Sequence, residues 1–226
     1  MKRATVALAG LLLTVLAPGA WALGKGGSMF AIELTHGIAS VADSSQGRLN
    51  AAGASGFLSS YDHSEVGVQG QYWYMMADDY AVAVSAGIGF FTETDEQGSK
   101  GAPVGGADMK FSLSSFNLRL GGDRVAKVGD RAIVYGGPGL EFWSGKAKFE
   151  NFPVLGPREY EGENTTRIGL SARLGGIMML GEYVGLTGHI GGRYGYASVE
   201  EQGAKATWWP SSVEAATGLV YMFGGE

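Results

Sequence analysis

The stretch that decides the fold lies between residues 64 and 92 and reads SEVGVQGQYWYMMADDYAVAVSAGIGFFT. On either side of its central Ala-Asp-Asp, apolar residues alternate with polar or small ones. A period of two indicates a β-strand with one apolar and one polar face. Because only Ala77, Asp78 and Asp79 separate the two runs, the stretch predicts two antiparallel strands joined by a tight turn.

The same alternation recurs along the chain and predicts eight strands. They cover residues 29–39, 64–76, 80–92, 109–120, 132–144, 165–180, 183–198 and 212–223. Each reaches the roughly 9–11 residues that a tilted membrane-spanning strand needs. The connections alternate between long (40–63, 93–108, 145–164, 199–211) and short (77–79, 121–131, 181–182). This pattern predicts an all-β fold, an eight-stranded up-and-down antiparallel transmembrane barrel with its long loops at the outer end.

The first 22 residues have the composition of a signal peptide. Lys2 and Arg3 precede a mostly apolar run, and Ala20-Trp21-Ala22 forms a small-x-small cleavage site. An uncleaved anchor helix is disfavoured because the apolar run is shorter than the roughly 20 residues that span a bilayer. We therefore predict a signal peptide over residues 1–22, export through the periplasm, and one barrel domain over residues 23–226.

Composition excludes several classes of function. The chain has 17 Lys and Arg against 22 Asp and Glu, a net charge of −5, and loss of the leader makes it two units more negative. This balance argues against a nucleic-acid partner, which requires a basic surface. The absence of cysteine excludes disulfides, thiolate metal sites and a lipoprotein anchor. We expect neither a metal nor a cofactor.

The aromatic residues favour a membrane barrel over a soluble one. On the apolar face they lie near the strand ends, with aliphatic residues between them. Phe30, Tyr72, Tyr74, Tyr80, Tyr221 and Phe223 fall at the short-turn end, and Phe90, Phe142, Tyr194 and Tyr196 at the long-loop end. Two aromatic girdles around an aliphatic band are typical of two membrane interfaces. A soluble barrel would share the alternation but would not concentrate aromatics at both rims.

The fourth strand changes phase near Ser114-Ser115. Phe111 and Leu113 precede this point at odd positions, whereas Phe116, Leu118 and Leu120 follow it at even positions. A β-bulge at this point would keep Asn117 and Arg119 aimed inward.

With these features the chain resembles the small eight-stranded outer-membrane barrels of Gram-negative bacteria, the OmpA-transmembrane and OmpX-like group. The last strand carries part of the likeness, because Leu219, Tyr221 and Phe223 alternate toward an aromatic end. The resemblance implies recognition of this strand by the barrel assembly machinery. The chain departs from the pattern in that Gly224-Gly225-Glu226 follow the final aromatic residue.

Charged residues on the opposite face are predicted to meet inside the barrel. They are Glu33, Glu65, Lys110, Arg119, Glu141, Arg167, Arg173, Arg193 and Glu214. An eight-stranded barrel is just wide enough for side chains to fill it, and an unpaired buried charge is costly. We therefore predict a plugged lumen in which Glu141 pairs with Arg167 and Arg193 with Glu214, both joined by Glu65 and Lys110. Deeper in the lumen, Glu33 should meet Arg173 or Arg119.

Catalytic motifs are weak. Asp62-His63-Ser64 has the residue types of a hydrolase triad, but consecutive strand residues point to opposite sides. His36 and Ser40 near the outer rim leave a lipid A-modifying site open as an alternative.

The predicted outer loops hold two surface features. The first is an acidic crown formed by Glu93, Asp95, Glu96, Glu159, Glu161, Glu163, Glu200 and Glu201. These acids are interpreted either as a solvated rim or as weak ligands for divalent cations that bridge to lipopolysaccharide. The second, Trp208-Trp209-Pro210, is a candidate docking site for a partner or the membrane surface.

The sequence thus predicts a monomeric, non-enzymatic outer-membrane barrel with a structural or surface-interaction role and a plugged lumen. Its expected partners are outer-membrane lipids, lipopolysaccharide and the assembly machinery. A narrow pore for small solutes or ions is the first alternative, and a lipid A-modifying enzyme is the second.

Overall fold

The structure is a computed structural model that describes residues 24–40, 62–95, 109–150, 159–161, 164–201, 204–209 and 211–224. Ten strands lie within these ranges. They are β1 (Ser28–Ser40), β2 (Asp62–Ala77), β3 (Tyr80–Asp95), β4 (Met109–Val128), β5 (Ala132–Glu150), β6 (Glu159–Glu161), β7 (Thr165–Met179), β8 (Val184–Glu201), β9 (Ala204–Trp208) and β10 (Ser211–Phe223). The predicted signal peptide, residues 1–22, lies outside the described residues and stays a prediction.

Eight of the strands form a closed antiparallel barrel. Neighbours along the chain pair with each other, and the first and last strands close the wall, since β1 pairs with β10 from Ser28↔Phe223 to Ser40↔Ser211. Strand β10 pairs with β8 on its other side. The short strands β6 and β9 pair with the ends of β5 and β8 on the long-loop side. Closure leaves no open edge among these eight strands, as hydrocarbon surroundings require. The eight-stranded up-and-down prediction is confirmed.

Among the described residues, no helix is both long and apolar enough to cross a bilayer.

The predicted connection 121–131 is wrong. Strand β4 continues to Val128, and the turn is confined to residues 129–131, where Gly129 has a φ of +71°. Glycines and charged residues give this stretch the composition of a loop, but its backbone pairs with both neighbours, for example Tyr80↔Arg124 and Val125↔Tyr135. The extension carries Asp123 into the barrel interior.

The predicted bulge at Ser114-Ser115 is also wrong. Strands β3 and β4 pair in one continuous register from Asp95↔Met109 to Tyr80↔Arg124. Asn117 and Arg119 still point inward, because the alternation runs through unbroken. As a result Leu113 takes an inward position, and even-numbered residues before Ser114 face outward.

The outer surface of the barrel wall is apolar. Ile32 and Leu34 on β1, Ile88 on β3 and Leu170 on β7 are 49–64% exposed. They occupy positions predicted to face lipid, and most other predicted lipid-facing residues are exposed in the same way. The inward positions between them are buried, which places the core of this molecule inside the barrel.

Candidate functional site: the filled barrel interior

Apolar side chains fill the interior at the short-turn end. Met29 on β1, Trp73 and Met75 on β2, and Met222 on β10 are fully buried, with 0% exposure. They share one core with Ala31, Ala81, Ala83, Val125, Ile133, Tyr135, Ile177, Met179 and Val220. The alternation predicts a polar inner face, so this layer was missed, although large apolar residues at inward positions of several strand ends are its signal. An eight-stranded barrel is just wide enough for side chains to fill its interior.

A cluster around Asp123 lies directly against the apolar layer. Trp73 donates its indole N–H to Asp123 Oδ2 over 2.9 Å, and Arg173 Nη2 donates to the same oxygen over 2.5 Å. The Arg173 guanidinium lies 5.3 Å from the Trp73 ring centroid and 5.5 Å from that of Tyr135. These cation–π contacts and the buried ion pair bind four strands together, β2, β4, β5 and β7. Sequence reasoning missed Asp123 because it falls in the stretch misjudged as a turn.

Arg119, four residues before Asp123 on β4, contacts the same carboxylate. Its Nη2 lies 3.6 Å from Asp123 Oδ1, and its Nε donates to Ser171 Oγ over 3.0 Å. A Cβ atom at Gly121 would lie 2.8 Å from the Arg119 guanidinium, and one at Gly139 would lie 2.7 Å from it. The absence of side chains at the two glycines therefore leaves the space that this guanidinium occupies.

Glu33 is also fully buried. Gln69 Nε2 donates to its Oε2 over 2.7 Å, and Thr187 Oγ1 donates to its Oε1 over 3.3 Å. His189 Nδ1 lies 3.4 Å from the same Oε1. Glu33 is thus held by polar neighbours and an imidazole.

The predicted contact of Glu33 with Arg173 or Arg119 is wrong. Both arginines instead contact the carboxylate of Asp123 on β4. Glu33 instead contacts Gln69 on the adjacent strand β2 and Thr187 and His189 on β8.

Towards the long-loop end the remaining charges form a chain of contacts. Arg167 Nη2 donates to Glu141 Oε1 over 3.2 Å, and Arg193 Nε lies 3.0 Å from Glu141 Oε2. Arg193 also pairs with Glu214. His189 Nε2 lies 3.6 Å from Glu214 Oε1, so His189 connects this chain with Glu33.

The described interior is balanced in charge. Four carboxylates (Glu33, Asp123, Glu141, Glu214) face four guanidinium groups (Arg119, Arg167, Arg173, Arg193), with His189 between two of the acids. Such matching avoids the cost of an unpaired buried charge. Chemically, the arrangement fills space and fixes strand positions.

One residue predicted for the lumen, Lys110, is not part of this network. The side chain of Glu65 lies outside the described residues. Lys110 faces outward, is 41% exposed, and has its Nζ 3.8 Å from Glu150 Oε1. The prediction for Lys110 assumed a bulge at Ser114-Ser115. Because the strand has no bulge there, the alternation is unbroken and Lys110 faces outward like Ser112 and Ser114.

The structure does not support the catalytic candidates of the sequence as far as it describes them. The side chains of Ser40 and of Asp62-His63-Ser64 lie outside the described residues, and His36 is exposed on the outward side. Within the described ranges, no group of three or more acidic or histidine side chains is placed to hold a metal ion.

Of the acidic crown and of the tryptophan pair, one residue each has a described side chain, Glu161 and Trp209. Glu161 accepts a hydrogen bond from Lys146 Nζ over 2.7 Å, and this contact holds the pKa of the Glu161 carboxyl below its usual value. Trp209 stacks on Tyr194, with ring centroids 5.8 Å apart, and meets Tyr196 edge-on at 5.5 Å. The side chains of the other crown acids and of Trp208 lie outside the described residues.

No protein-family model matches the chain, and no curated protein matches it. Among solved structures, the chain is similar to the outer membrane protein OprG from Pseudomonas aeruginosa, with a TM-score of 0.56 and 13% identity, over 92% of this chain and 100% of that one. It is also similar to Neisserial surface protein A (TM-score 0.49, 14% identity, 88% and 100% covered). A third match is Ail, the attachment invasion locus protein of Yersinia pestis (0.47, 14%, 88% and 99%).

At this level of identity the likeness to OprG shows the fold alone. That fold is the small eight-stranded outer-membrane barrel, so the resemblance found in the sequence is confirmed at the level of architecture. The apolar outer wall agrees with the predicted location in an outer membrane.

Proposed function

We propose that this protein is a closed, non-enzymatic outer-membrane barrel that acts as a monomeric scaffold for structural or surface interactions. The filled interior is the observation that carries the proposal. An apolar layer with 0% exposure at Met29, Trp73, Met75 and Met222 lies across the lumen. A narrow pore would need a continuous polar path, and this layer interrupts it.

The outer end supports the scaffold role. Strand β5 continues eight residues beyond the girdle residue Phe142 to Glu150, where β6 pairs with it. At about 3.3 Å per residue this adds roughly 26 Å along the strand. Strand β8 likewise continues past Tyr196 and pairs with β9. These two strands therefore carry the wall beyond the apolar belt.

Conductance tests the closed lumen. Refolded protein in planar bilayers should give no steady current above that of the bare membrane, and insertion should be verified separately by heat-modifiable electrophoretic mobility. A steady open channel from verified, inserted wild-type protein would replace this proposal with the pore.

Shortening the loops distinguishes the two scaffold roles. A variant in which the segments 41–61 and 96–108 are replaced by short glycine-containing turns should keep the barrel. If the role is structural, this variant should restore detergent resistance to a deletion strain as fully as the wild type does. If the role is surface interaction, the variant should fold but fail to restore the phenotype. Failure of the wild-type gene itself to restore any envelope phenotype would argue against both roles.

A further inference from the structure

The amide of Gln71 on β2 is buried without a partner inside the barrel. Its inward neighbours along the strand are Trp73 in the apolar layer and Gln69, which donates to Glu33. Gln71 is 0% exposed, and within the described part of the chain neither its Nε2 nor its Oε1 has a hydrogen-bond partner. Because an amide offers two N–H donors and an oxygen acceptor, both kinds of group are left without a bond.

A buried amide in this state is costly. It has given up its hydrogen bonds to water and gained none in the protein, which lowers the folding equilibrium constant about ten- to a hundredfold. Gln69, two residues away, shows the usual solution, because its Nε2 donates to Glu33 Oε2 over 2.7 Å. The contrast between two glutamines on one face indicates that Gln71 binds a polar molecule from outside the chain.

Small residues surround this amide in the barrel wall. The cross-strand register pairs Gln71 with Ala31 on β1 and with Ser85 on β3. The next inward residue of β3 is Ala83, which pairs with Gly121 on β4. These four positions lack the long side chains that could reach the amide, so the wall leaves room beside it for a small molecule.

A second unpartnered atom belongs to the same row of residues. Arg119 on β4 pairs with Ser85 in the register, so the row runs from Gln71 through Ser85 to Arg119. Arg119 Nε and Nη2 donate to Ser171 and Gly137. Its buried Nη1 has no hydrogen-bond partner among the residues that the structure describes. Three adjacent strands therefore contribute an amide, a hydroxyl and a guanidinium N–H to one part of the interior.

Water suits these groups better than an ion does. An anion would leave the acceptor oxygen of Gln71 without a donor, and a cation would leave the N–H groups of Gln71 and Arg119 without an acceptor. A water molecule both donates and accepts, and a buried water typically makes about three hydrogen bonds. We propose that Gln71, Ser85 and Arg119 bind a buried water that joins β2, β3 and β4 from inside the barrel.

Nuclear magnetic resonance of the refolded protein in detergent micelles tests the site. The Nε2 protons of Gln71 should give cross-peaks to the water resonance that have opposite signs in NOE and ROE spectra, as a bound water does. The Gln71 signal is identified by its loss in Gln71→Met. Gln69 is the internal control, because its Nε2 is bonded to Glu33, and it should give no such cross-peak.

Two hydroxyl deletions locate the water. Ser85→Ala removes one of the proposed ligands and should weaken the Gln71 cross-peak, because the water loses a partner. Thr187→Val removes a hydroxyl that is as deeply buried but contacts Tyr135 and Glu33, and it should leave the cross-peak unchanged. Equal effects of the two variants would contradict this location.

Unfolding in urea adds a readout whose sign depends on the water. Methionine has nearly the length of glutamine but no amide, so Gln71→Met removes the polar group with little change in shape. If water bridges the amide to Arg119, the substitution should lower the folding equilibrium constant about tenfold. If the amide has no partner, the same substitution should raise that constant.

Three further results would overturn the site. They are the absence of a Gln71 cross-peak in folded wild-type protein, a folding equilibrium constant that rises in Gln71→Met, and cross-peaks of equal strength at Gln71 and Gln69. The third result would indicate a generally hydrated lumen in place of one bound water. Conductance would then decide separately whether the closed barrel proposed above also fails.

Discussion

Replacing Asp123 with alanine tests the filled interior at its most buried charge. Asp123 is 0% exposed and contacts the indole N–H of Trp73 and the guanidinium groups of Arg173 and Arg119. Without the carboxylate, two guanidinium groups face each other in a space that excludes water. Breaking a buried ion pair in this way costs about 3–5 kcal/mol, a large part of the roughly 5–15 kcal/mol by which domains are stable.

The assay is the free energy of unfolding from urea titration in detergent micelles, followed by the intrinsic fluorescence of the tryptophans, of which Trp73 is one. The matched control is Asp79→Ala, which breaks the pair between Asp79, in the turn between β2 and β3, and Arg124, the neighbour of Asp123 on β4. The side chains of Asp79 and its partner Arg124 are 64% and 74% exposed, so its loss should cost only about 0–1 kcal/mol.

A double-mutant cycle then isolates the pair. Asp123→Ala combined with Arg173→Met should cost less than the sum of the single changes, by about 0.5–3 kcal/mol. Equal losses for the Asp123 and Asp79 variants, or a coupling energy of zero, would refute the view that these charges are buried together.

Two more substitutions test the wall. Val84→Arg places a charge at mid-strand on the lipid side, where it should cost about 2–4 kcal/mol, whereas Val128→Arg near the interface should cost about 0–1 kcal/mol; equal refolding yields in micelles would contradict the depth assignment. Gly175→Ala should cost about 1–3 kcal/mol, because its Cβ would lie 2.5 Å from the Tyr135 ring. Gly176→Ala is its control, since the nearest atom there is at 3.4 Å, and similar unfolding midpoints for the two alanine variants would argue against close packing at Gly175.

The barrel could be predicted from the sequence because its determinant is local. Alternation with a period of two is written into each strand separately, so eight strands and their lipid-facing sides follow without knowledge of their neighbours. The end of β4 could not be found in this way. Gly121, Gly122 and Asp123 have the composition of a turn, and only close contact with neighbouring strands gives their backbone groups partners.

The interior could be predicted in part for a related reason. Parity identifies which side chains point inward, and the structure brings Glu141 and Arg167 together as expected on adjacent strands. Parity does not give the height of each side chain along the barrel axis, which depends on the stagger between strands. This is why the Glu33 partner was wrong. The apolar layer was missed because residues such as Met75 occupy positions where the pattern indicates polarity.

The two faces of the wall impose different demands on strand register. A slip of two residues keeps every lipid-facing side chain outward, so the apolar belt tolerates it. The same slip of β7 against β5 would move Arg167 about 6.6 Å along the strand, which exceeds the 3.2 Å that now separates it from Glu141. Arg167 would then be separated from its buried carboxylate, which would keep only Arg193, and breaking a buried ion pair costs several kcal/mol. The charged interior therefore selects one register among those that the membrane face allows, and a wall with one register holds its outer extensions in one arrangement.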